Sequence, residues 1–262
     1  MNTVSVASII GMIVSLCVAF GLPIAAALMA KKRLGGRFAA VGIGAMTFVL
    51  AALVLEQLFH AGVRFLAPWI FDNVWLLALY GGLAAALFEE AGRYLTMKHL
   101  MKKSLTSANA VLYGIGHGGA EAIATLGLMS ISNLMNTCLI NTGMLASTLS
   151  TVDEATRATA LEQLSALWTT APMDFYLAGA ERIAAFALQL ALSYFVFRAL
   201  HTGKKSWLLL AFGLHFAVDA GTVALARGLN LPTLAVEAIV LVVCIAIAAF
   251  AWQLLRQDRQ NA

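Results

Sequence analysis

Long apolar runs alternate with short polar segments along this sequence. Seven runs are present, at 4–29, 38–59, 73–95, 108–131, 176–198, 206–226 and 232–255. A helix rises about 1.5 Å per residue, so about 20 residues are enough to cross the roughly 30 Å of bilayer hydrocarbon. The pattern therefore predicts an all-α fold, a polytopic bundle of about seven transmembrane helices.

A shorter amphipathic pattern lies in the longest connection, 132–175. Within 151–168, Thr151 and Glu154 have the spacing of a capping box. Apolar residues follow at helical spacing, namely Val152, Ala155, Ala158, Leu161, Leu164 and Trp168. We expect one amphipathic helix here, lying on the outer face of the membrane.

Composition supports a membrane protein and excludes an ordinary soluble domain. Hydrophobic residues make up 61% of the chain and charged residues only 11%. Three widely spaced cysteines, Cys17, Cys138 and Cys244, form neither a disulfide framework nor a metal motif. No linker separates a second domain, so we expect a single integral membrane domain over 1–262 with its functional core at about 73–226.

Basic residues gather after the first, third, fifth and seventh runs and are sparse in the other connections. The four clusters are Lys31, Lys32, Arg33 and Arg37; Arg93, Lys98, Lys102 and Lys103; Arg198, Lys204 and Lys205; Arg256 and Arg259. The positive-inside rule then predicts an outside N-terminus and a cytosolic C-terminus. The net charge of +4 reflects this topology and contact with membrane lipid, so no nucleic-acid partner is expected.

Charged and polar side chains lie inside four of the predicted helices, although a charge in hydrocarbon costs about 2.5–3.5 kcal/mol. They are Glu89, Glu90 and Arg93 in the third helix; His117 and Glu121 in the fourth; Glu181, Arg182 and Gln189 in the fifth; His215 and Asp219 in the sixth. Counted from the cytosolic basic clusters, Glu89, His117, Gln189 and His215 all lie about 13–20 Å into the membrane. Their common depth predicts that the four helices bring these side chains together.

Three pairs have i,i+4 spacing and therefore share a helix face. The pairs are Glu89 with Arg93, His117 with Glu121, and His215 with Asp219. We expect each histidine ring to be oriented by the carboxylate one turn away. Glycines at 114, 116, 118 and 119 surround His117 and permit close approach of either a neighbouring helix or a substrate backbone.

These residue types suit three kinds of chemistry. Buried glutamate and histidine can activate water for amide hydrolysis. His117, Glu121 and His215 can instead supply three zinc ligands with an open fourth position. A proton-coupled transporter uses the same residues, but the chain lacks the internal repeat that many transporters have.

The remaining polar residues are expected near helix ends. His60 ends the predicted second helix at the interface, and Glu56, Asp72 and Asp174 flank helix ends without an evident partner. Glu181 and Arg182 lie near the outer end of the fifth helix, where we expect an ion pair or an interface anchor.

Four motifs occur in the order "FEEAGRY", "GIGHGGAEA", "AERIAAFALQLALS" and "LHFAVDAG". This order resembles the YhfC family of bacterial membrane proteins, within the group that contains the CAAX prenyl endopeptidases. The resemblance covers the third to sixth helices and implies a glutamic-type intramembrane protease of the bacterial inner membrane. It implies hydrolysis of a peptide or membrane-protein substrate in or near the membrane, without a resident cofactor.

The resemblance also assigns roles to residues. It implies that Glu89 is the water-activating base, that Arg93 supports Glu90, and that His117 is the partner histidine. His215 and Asp219 become the pair on the oxyanion side. Glu181 and Arg182 belong to the family pattern as a structural brace.

Two departures from the group are visible in the sequence. The segment "EEAGR" has two residues between Glu90 and Arg93, where the prenyl endopeptidases have three. Gln189 stands where a histidine is expected, and glutamine neither titrates nor binds zinc well. Position 189 therefore either orients a neighbour, or the protein is a non-catalytic scaffold or chaperone, as in the related scaffold subunit of γ-secretase.

Overall fold

The computed structural model describes residues 3–260, and most of them are helical. Seven helices in this part of the chain are long and apolar enough to cross a membrane. They are α1 (Val6–Leu34), α2 (Ala39–Leu66), α3 (Val74–His99), α4 (Ser107–Asn141), α7 (Pro172–Thr202), α8 (Ser206–Gly228) and α9 (Thr233–Gln260). Between α4 and α7 lie α5 (Met144–Thr148) and α6 (Glu154–Thr169). The predicted all-α fold with seven transmembrane helices is confirmed.

Several helices extend beyond the predicted apolar runs, and α4 and α7 show why. The fourth helix extends from the predicted end at 131 to Asn141. The Asn141 side chain accepts a hydrogen bond from Val4 N at 2.8 Å and donates one to Val4 O at 3.0 Å. These bonds satisfy the side-chain amide of Asn141, a polar residue that lowers the hydropathy of the segment. Helix α7 begins with Pro172 rather than at 176, because proline suits the first helical turn.

Three of the transmembrane helices contain a π-helical stretch. The stretches are Val49–Glu56 in α2, Ile123–Gly127 in α4 and Ala224–Gly228 in α8. Such stretches are frequent at functional sites. In α2 the helix continues past the stretch to Leu66, so Glu56 lies inside a span and is buried. The prediction that Glu56 flanks a helix end is therefore wrong.

The chain forms two compact units. The small unit comprises Met1–Gly21 and Ala122–Arg182, and the large unit comprises Leu22–Glu121 and Ile183–Ala262. The small unit has its own apolar cluster, formed by Val4, Met12, Ile140 and Leu167. Leu167 packs the C-terminal half of α6 into this cluster, with Leu164 and Trp168 beside it.

Helix α6 covers most of the segment 151–168 that is predicted to be amphipathic, but its start differs from the prediction. Asp153 caps the helix by accepting hydrogen bonds from the Thr156 hydroxyl at 2.6 Å and from Thr156 N at 2.9 Å. These hydrogen bonds lower the pKa of Asp153 below its ordinary value. Thr151 belongs instead to the preceding 3₁₀ turn, so the predicted capping box is wrong. Val152 and Leu161 remain 38% and 37% exposed, so only the C-terminal half of the apolar face is packed.

Helices α3 and α8 pack backbone against backbone in the large unit. A Cβ atom at Gly82 would lie 2.8 Å from Ala220 N and 2.9 Å from Phe216 O. Only glycine permits this approach without displacing α8. The contact lies between the two helices that carry Glu90 and His215, and it fixes their separation.

The core of the large unit is built mainly on α4, α7 and α9. Tyr113 of α4, Phe195 of α7 and Cys244 of α9 are completely buried there. The outward faces of the spans are apolar, and Leu58, Leu209 and Val242 are each more than 60% exposed. Many exposed apolar side chains on the outside of a helix bundle are typical of a surface that contacts lipid, which agrees with a multi-pass membrane protein.

Candidate active site

The third span supplies a buried ion triplet. Arg93 is completely buried, and Glu89 and Glu90 are 6% and 1% exposed. Arg93 Nη1 donates to Glu90 Oε1 at 2.9 Å, and Nη2 donates to Glu89 Oε2 at 3.0 Å. One guanidinium therefore neutralises part of the charge of two carboxylates on its own helix, which lowers the cost of burying them.

His117 of α4 holds the same carboxylate. Its Nε2 lies 2.8 Å from Glu89 Oε2, and because a carboxylate only accepts, Nε2–H is the donor. The ring packs against Tyr113, stacked with centroids 6.2 Å apart, and against the edge of Phe48 at 5.4 Å. These contacts fix the ring, and Nδ1 is buried without a hydrogen-bond partner among residues 3–260.

Glu121 does not orient His117, contrary to the expectation from their i,i+4 spacing. Its Oε2 accepts a hydrogen bond from Gln189 Nε2 at 2.6 Å. The side chain therefore reaches toward α7 rather than back along α4, and the His117 ring is oriented by Glu89. The predicted convergence of these residues is present, but the pairing is different.

Gln189 of α7 joins the acidic and basic parts of the cluster. Its Oε1 accepts from Arg93 Nη2, while its Nε2 donates to Glu121 and, more weakly at 3.4 Å, to Glu89 Oε2. Glutamine uses its acceptor and its donor at once here, and the side chain is 3% exposed. Gly118 leaves the space for it, since a Cβ there would lie 2.9 Å from Gln189 Cβ.

The other glycines around His117 also face helices. Gly114 faces Leu190 and Ser193, Gly116 faces Val41, and Gly119 faces Pro23. Of the two roles that the sequence left open, helix packing is the one that the structure displays at all four positions.

His215 of α8 lies between Glu90 and Asp219, a partly exposed residue at the edge of the cluster. Its Nδ1 lies 2.8 Å from Glu90 Oε1. Its Nε2 lies 3.4 Å from Asp219 Oδ2 and 3.9 Å from Glu89 Oε1. The Asp219 side chain is 37% exposed, whereas the His215 side chain is 2% exposed, so the cluster opens at Asp219.

The predicted pair Glu181 and Arg182 lies in the small unit. Arg182 Nη2 donates to Glu181 Oε1 at 2.8 Å, so the expected ion pair is present.

Two polar groups next to the site were missed by sequence reasoning. The Tyr113 hydroxyl lies 2.9 Å from Thr96 Oγ1, and Thr47 Oγ1 donates to Thr96 at 3.2 Å. Tyr113 precedes His117 by four residues and Thr96 follows Arg93 by three, so helical spacing alone places both beside the site. The second group contains Glu56 and His60, whose side chains form a hydrogen bond of 3.1 Å inside α2.

The residues do not fit a bound zinc ion in this arrangement. Within residues 3–260 no three His, Cys, Asp or Glu side chains are arranged to hold a metal. The three proposed ligands point elsewhere: His117 Nε2 to Glu89, Glu121 to Gln189, and His215 Nδ1 to Glu90. Arg93 is already a fixed cation among the carboxylates and would repel a second one.

Comparison with known proteins identifies the family to which the chain belongs. A family profile described as "YhfC intramembrane metalloprotease" matches residues 18–242, a range that contains every residue of the cluster. The chain is also 34% identical over 240 residues to "Uncharacterized membrane protein YhfC" of Bacillus subtilis (strain 168). The alignment covers 90% of this chain and 92% of the relative. No solved structure matches the chain. The extent of both matches shows that the chain belongs to the YhfC family, whose profile describes membrane proteases.

Proposed function

We propose that this protein is an intramembrane protease of the glutamic type, in which Glu89 activates a water to hydrolyse a peptide bond in or near the membrane. The asymmetry of the Glu89 carboxylate carries the proposal. Its Oε2 accepts from Arg93, His117 and Gln189. Its Oε1 accepts no hydrogen bond from residues 3–260, and His215 Nε2 is 3.9 Å away from it. One oxygen is thus anchored, and the other is available to a water.

The first step places the proton on Glu89. Oε1 takes a proton from water while the water oxygen forms a bond to the carbonyl carbon of the peptide, which gives a tetrahedral oxyanion. The three donors on Oε2 keep the carboxylate in place during this transfer. His117 acts here by positioning Glu89, because its donor nitrogen is occupied by Glu89 rather than directed at water.

The second step transfers the same proton to the leaving nitrogen while the carbon–nitrogen bond breaks. His215 acts as an imidazolium, with Nδ1–H donated to Glu90, and donates to the oxyanion through Nε2–H. Its Nε2 is 3.4 Å from Asp219 and is not held tightly by it. Glu90 fixes the other ring nitrogen of His215, and Arg93 fixes Glu90. The proton count closes without a metal or any further reactant.

The experiment is proteolysis of a library of membrane-tethered peptides by the purified protein in nanodiscs. Wild type is compared with Glu89→Gln, with and without a chelator. We expect Glu89→Gln to slow cleavage by about 10²–10⁴, the range for loss of a general base, and we expect the chelator to have no effect. Glu154→Gln is the matched control, since Glu154 is exposed in α6.

Cleavage abolished by the chelator would contradict the glutamic mechanism and support the metal chemistry named in the family description. Equal cleavage by wild type and Glu89→Gln would remove Glu89 from the reaction.

A non-catalytic scaffold is the second candidate, and Gln189 favours it. Gln189 stands where a histidine is expected from the resemblance to the group of the CAAX prenyl endopeptidases. Its Oε1 accepts a hydrogen bond from Arg93, and its Nε2 donates one to Glu121. If the protein has lost activity through this exchange, Gln189→His restores cleavage to a silent wild type. Cleavage by wild type itself excludes the scaffold.

A further inference from the structure

A second polar group lies in the membrane beside the site, on α2 and α3. His60 Nε2 lies 3.1 Å from Glu56 Oε1, and His60 Nδ1 lies 2.5 Å from the Tyr80 hydroxyl. If Nε2–H donates to the carboxylate, Nδ1 accepts from the phenol, and all three groups are aligned in one chain. We call Glu56, His60 and Tyr80 the polar stripe.

One end of the polar stripe lies beside the candidate active site, because α2 packs on α3 there. The Phe59 and Phe88 ring centroids are 5.3 Å apart, and a Cβ at Gly92 would lie 3.0 Å from Ala51 Cβ. Glu56 lies between these two contacts along α2, as Glu89 does along α3, and it is within electrostatic range of Glu89, His215 and Asp219. It belongs to none of the hydrogen bonds described for the cluster, and the mechanism proposed above does not use it. A buried carboxylate without a task is costly in hydrocarbon, where such residues mark water-filled cavities and pathways.

The other end of the polar stripe reaches the connection between α2 and α3. Tyr80 packs edge-on against Phe71 of that connection at 5.7 Å, and the Arg64 guanidinium lies 4.5 Å from the Phe71 ring centroid. Exposure rises along the stripe in the same direction, from 9% for the Glu56 side chain to 28% for the His60 side chain. The stripe is therefore more exposed toward the 67–73 connection and more buried toward Glu89, which is 6% exposed.

We propose that the polar stripe is the route by which water enters the membrane and reaches Glu89 Oε1 from the 67–73 connection. The purpose of the route rests on the proposed function, because each hydrolysed peptide bond consumes a water molecule. The route itself is a statement about hydration and is tested without any substrate.

The test is the reactivity of single cysteines in the full chain, reconstituted in proteoliposomes. Cys17, Cys138 and Cys244 are replaced by alanine, and Glu56→Cys and His60→Cys are introduced separately. A charged methanethiosulfonate reagent is added to either side of the membrane in turn. Because the reagent attacks a thiolate, which forms only in contact with water, we expect both cysteines to react at least about tenfold faster than the dry controls.

Two dry controls and one wet control lie in the same region. Leu58→Cys is on the same helix and 67% exposed, but to lipid, and Ala51→Cys is as buried as Glu56 but packs against Gly92. Asp72→Cys lies in the exposed connection and shows that the reagent reaches that end. Gel filtration of each variant establishes that it is folded, and His60→Cys preserves the test if Glu56→Cys does not fold.

Fast reaction of Glu56→Cys and His60→Cys from the side on which Asp72→Cys reacts supports the route. Reaction at the rate of Leu58→Cys, or only from the opposite side, overturns it. A labelled stripe in a protein that cleaves no peptide refutes the proposed protease and leaves the water route standing. If the protein cleaves peptides but Glu56→Cys and His60→Cys are not labelled, the proposed protease stands and the water route is refuted.

Discussion

At the scale of single residues, the site is organised around one immobile cation. Arg93 donates to Glu89, Glu90 and Gln189, and these three contacts come from its own helix and from α7. Such a planar fork binds several acceptors at fixed angles, which a lysine ammonium does not reproduce. The carboxylates are consequently held in different ways. Glu90 Oε2 is buried without a hydrogen bond, whereas Glu89, the slightly more exposed of the two, keeps the Oε1 atom that the proposed reaction uses.

Replacement of Gln189 by leucine tests this organisation. Gln189→Leu removes both the acceptor for Arg93 and the donor for Glu121, and we expect the free energy of unfolding to fall by about 1–3 kcal/mol because buried polar groups lose a partner. Thermal unfolding in detergent measures the change. Gln163→Leu, the same substitution at an exposed position of α6, is the control and should leave Tm unchanged. Equal Tm values for both variants would show that the Gln189 hydrogen bonds contribute nothing to stability.

The members of the site were predictable from the sequence, but not all of their partners. Glu89, His117, Gln189 and His215 share a depth in four apolar helices, and they meet in the structure. Spacing within one helix correctly paired His215 with Asp219 and failed for Glu121. Helical spacing gives the face of a residue, whereas a longer side chain chooses its partner among neighbouring helices whose positions the sequence does not specify.

At the scale of helices, close packing rather than polar contact fixes the separation of α3 and α8. We expect Gly82→Ala to destabilise the protein by about 1–3 kcal/mol, because its methyl group would overlap the α8 backbone. Gly81→Ala is the neighbouring control, with nothing within 4 Å of the added Cβ, and it should be neutral or slightly stabilising. Thermal unfolding of the two variants makes the comparison. A lower Tm for Gly81→Ala than for Gly82→Ala would contradict the packing.

The start of α6 gives a prediction with a defined pH dependence. Asp153→Ala should accelerate amide hydrogen exchange at Thr156 at pH 7, because the cap is lost. Thr151→Ala should not change it, since Thr151 lies outside the helix. Because the pKa of Asp153 is lowered in the folded protein, its contribution is complete above the ordinary value of 3.8 and is lost as the pH falls below it. If Thr151→Ala accelerated exchange at Thr156 and Asp153→Ala did not, the result would support the predicted capping box and contradict capping by Asp153.

Helix identity was easier to predict than helix length. All seven apolar runs are transmembrane helices, but α4 continues through Ser130 and Asn141, which lower the hydropathy without ending the helix. Glu56 lies three residues before the end of the predicted run at 59, whereas the helix continues to Leu66. Apolar content defines where a helix can cross a membrane, and hydrogen bonding to side chains decides where it ends.

At the scale of the whole chain, the basic clusters predict a cytosolic C-terminus and an external 67–73 connection. A fluorescent protein fused after Ala262 should therefore be bright, because it folds on the cytosolic side. A secreted phosphatase fused at the same place should be inactive. A dark fluorescent fusion together with an active phosphatase would invert the topology. The water route would then begin on the cytosolic side.

The ion triplet of α3 also bears on how the protein is made. The chain is synthesised from its N-terminus, so α3 meets the insertion machinery before α7 and α8 exist. Three charges in one span would weigh heavily against insertion if each entered alone. Arg93 lies three and four residues after its two carboxylates, so the span carries its own counter-ion into the bilayer. The later helices then meet a segment that is already neutralised in part, and Gln189 and His215 complete a site whose centre was assembled during biosynthesis.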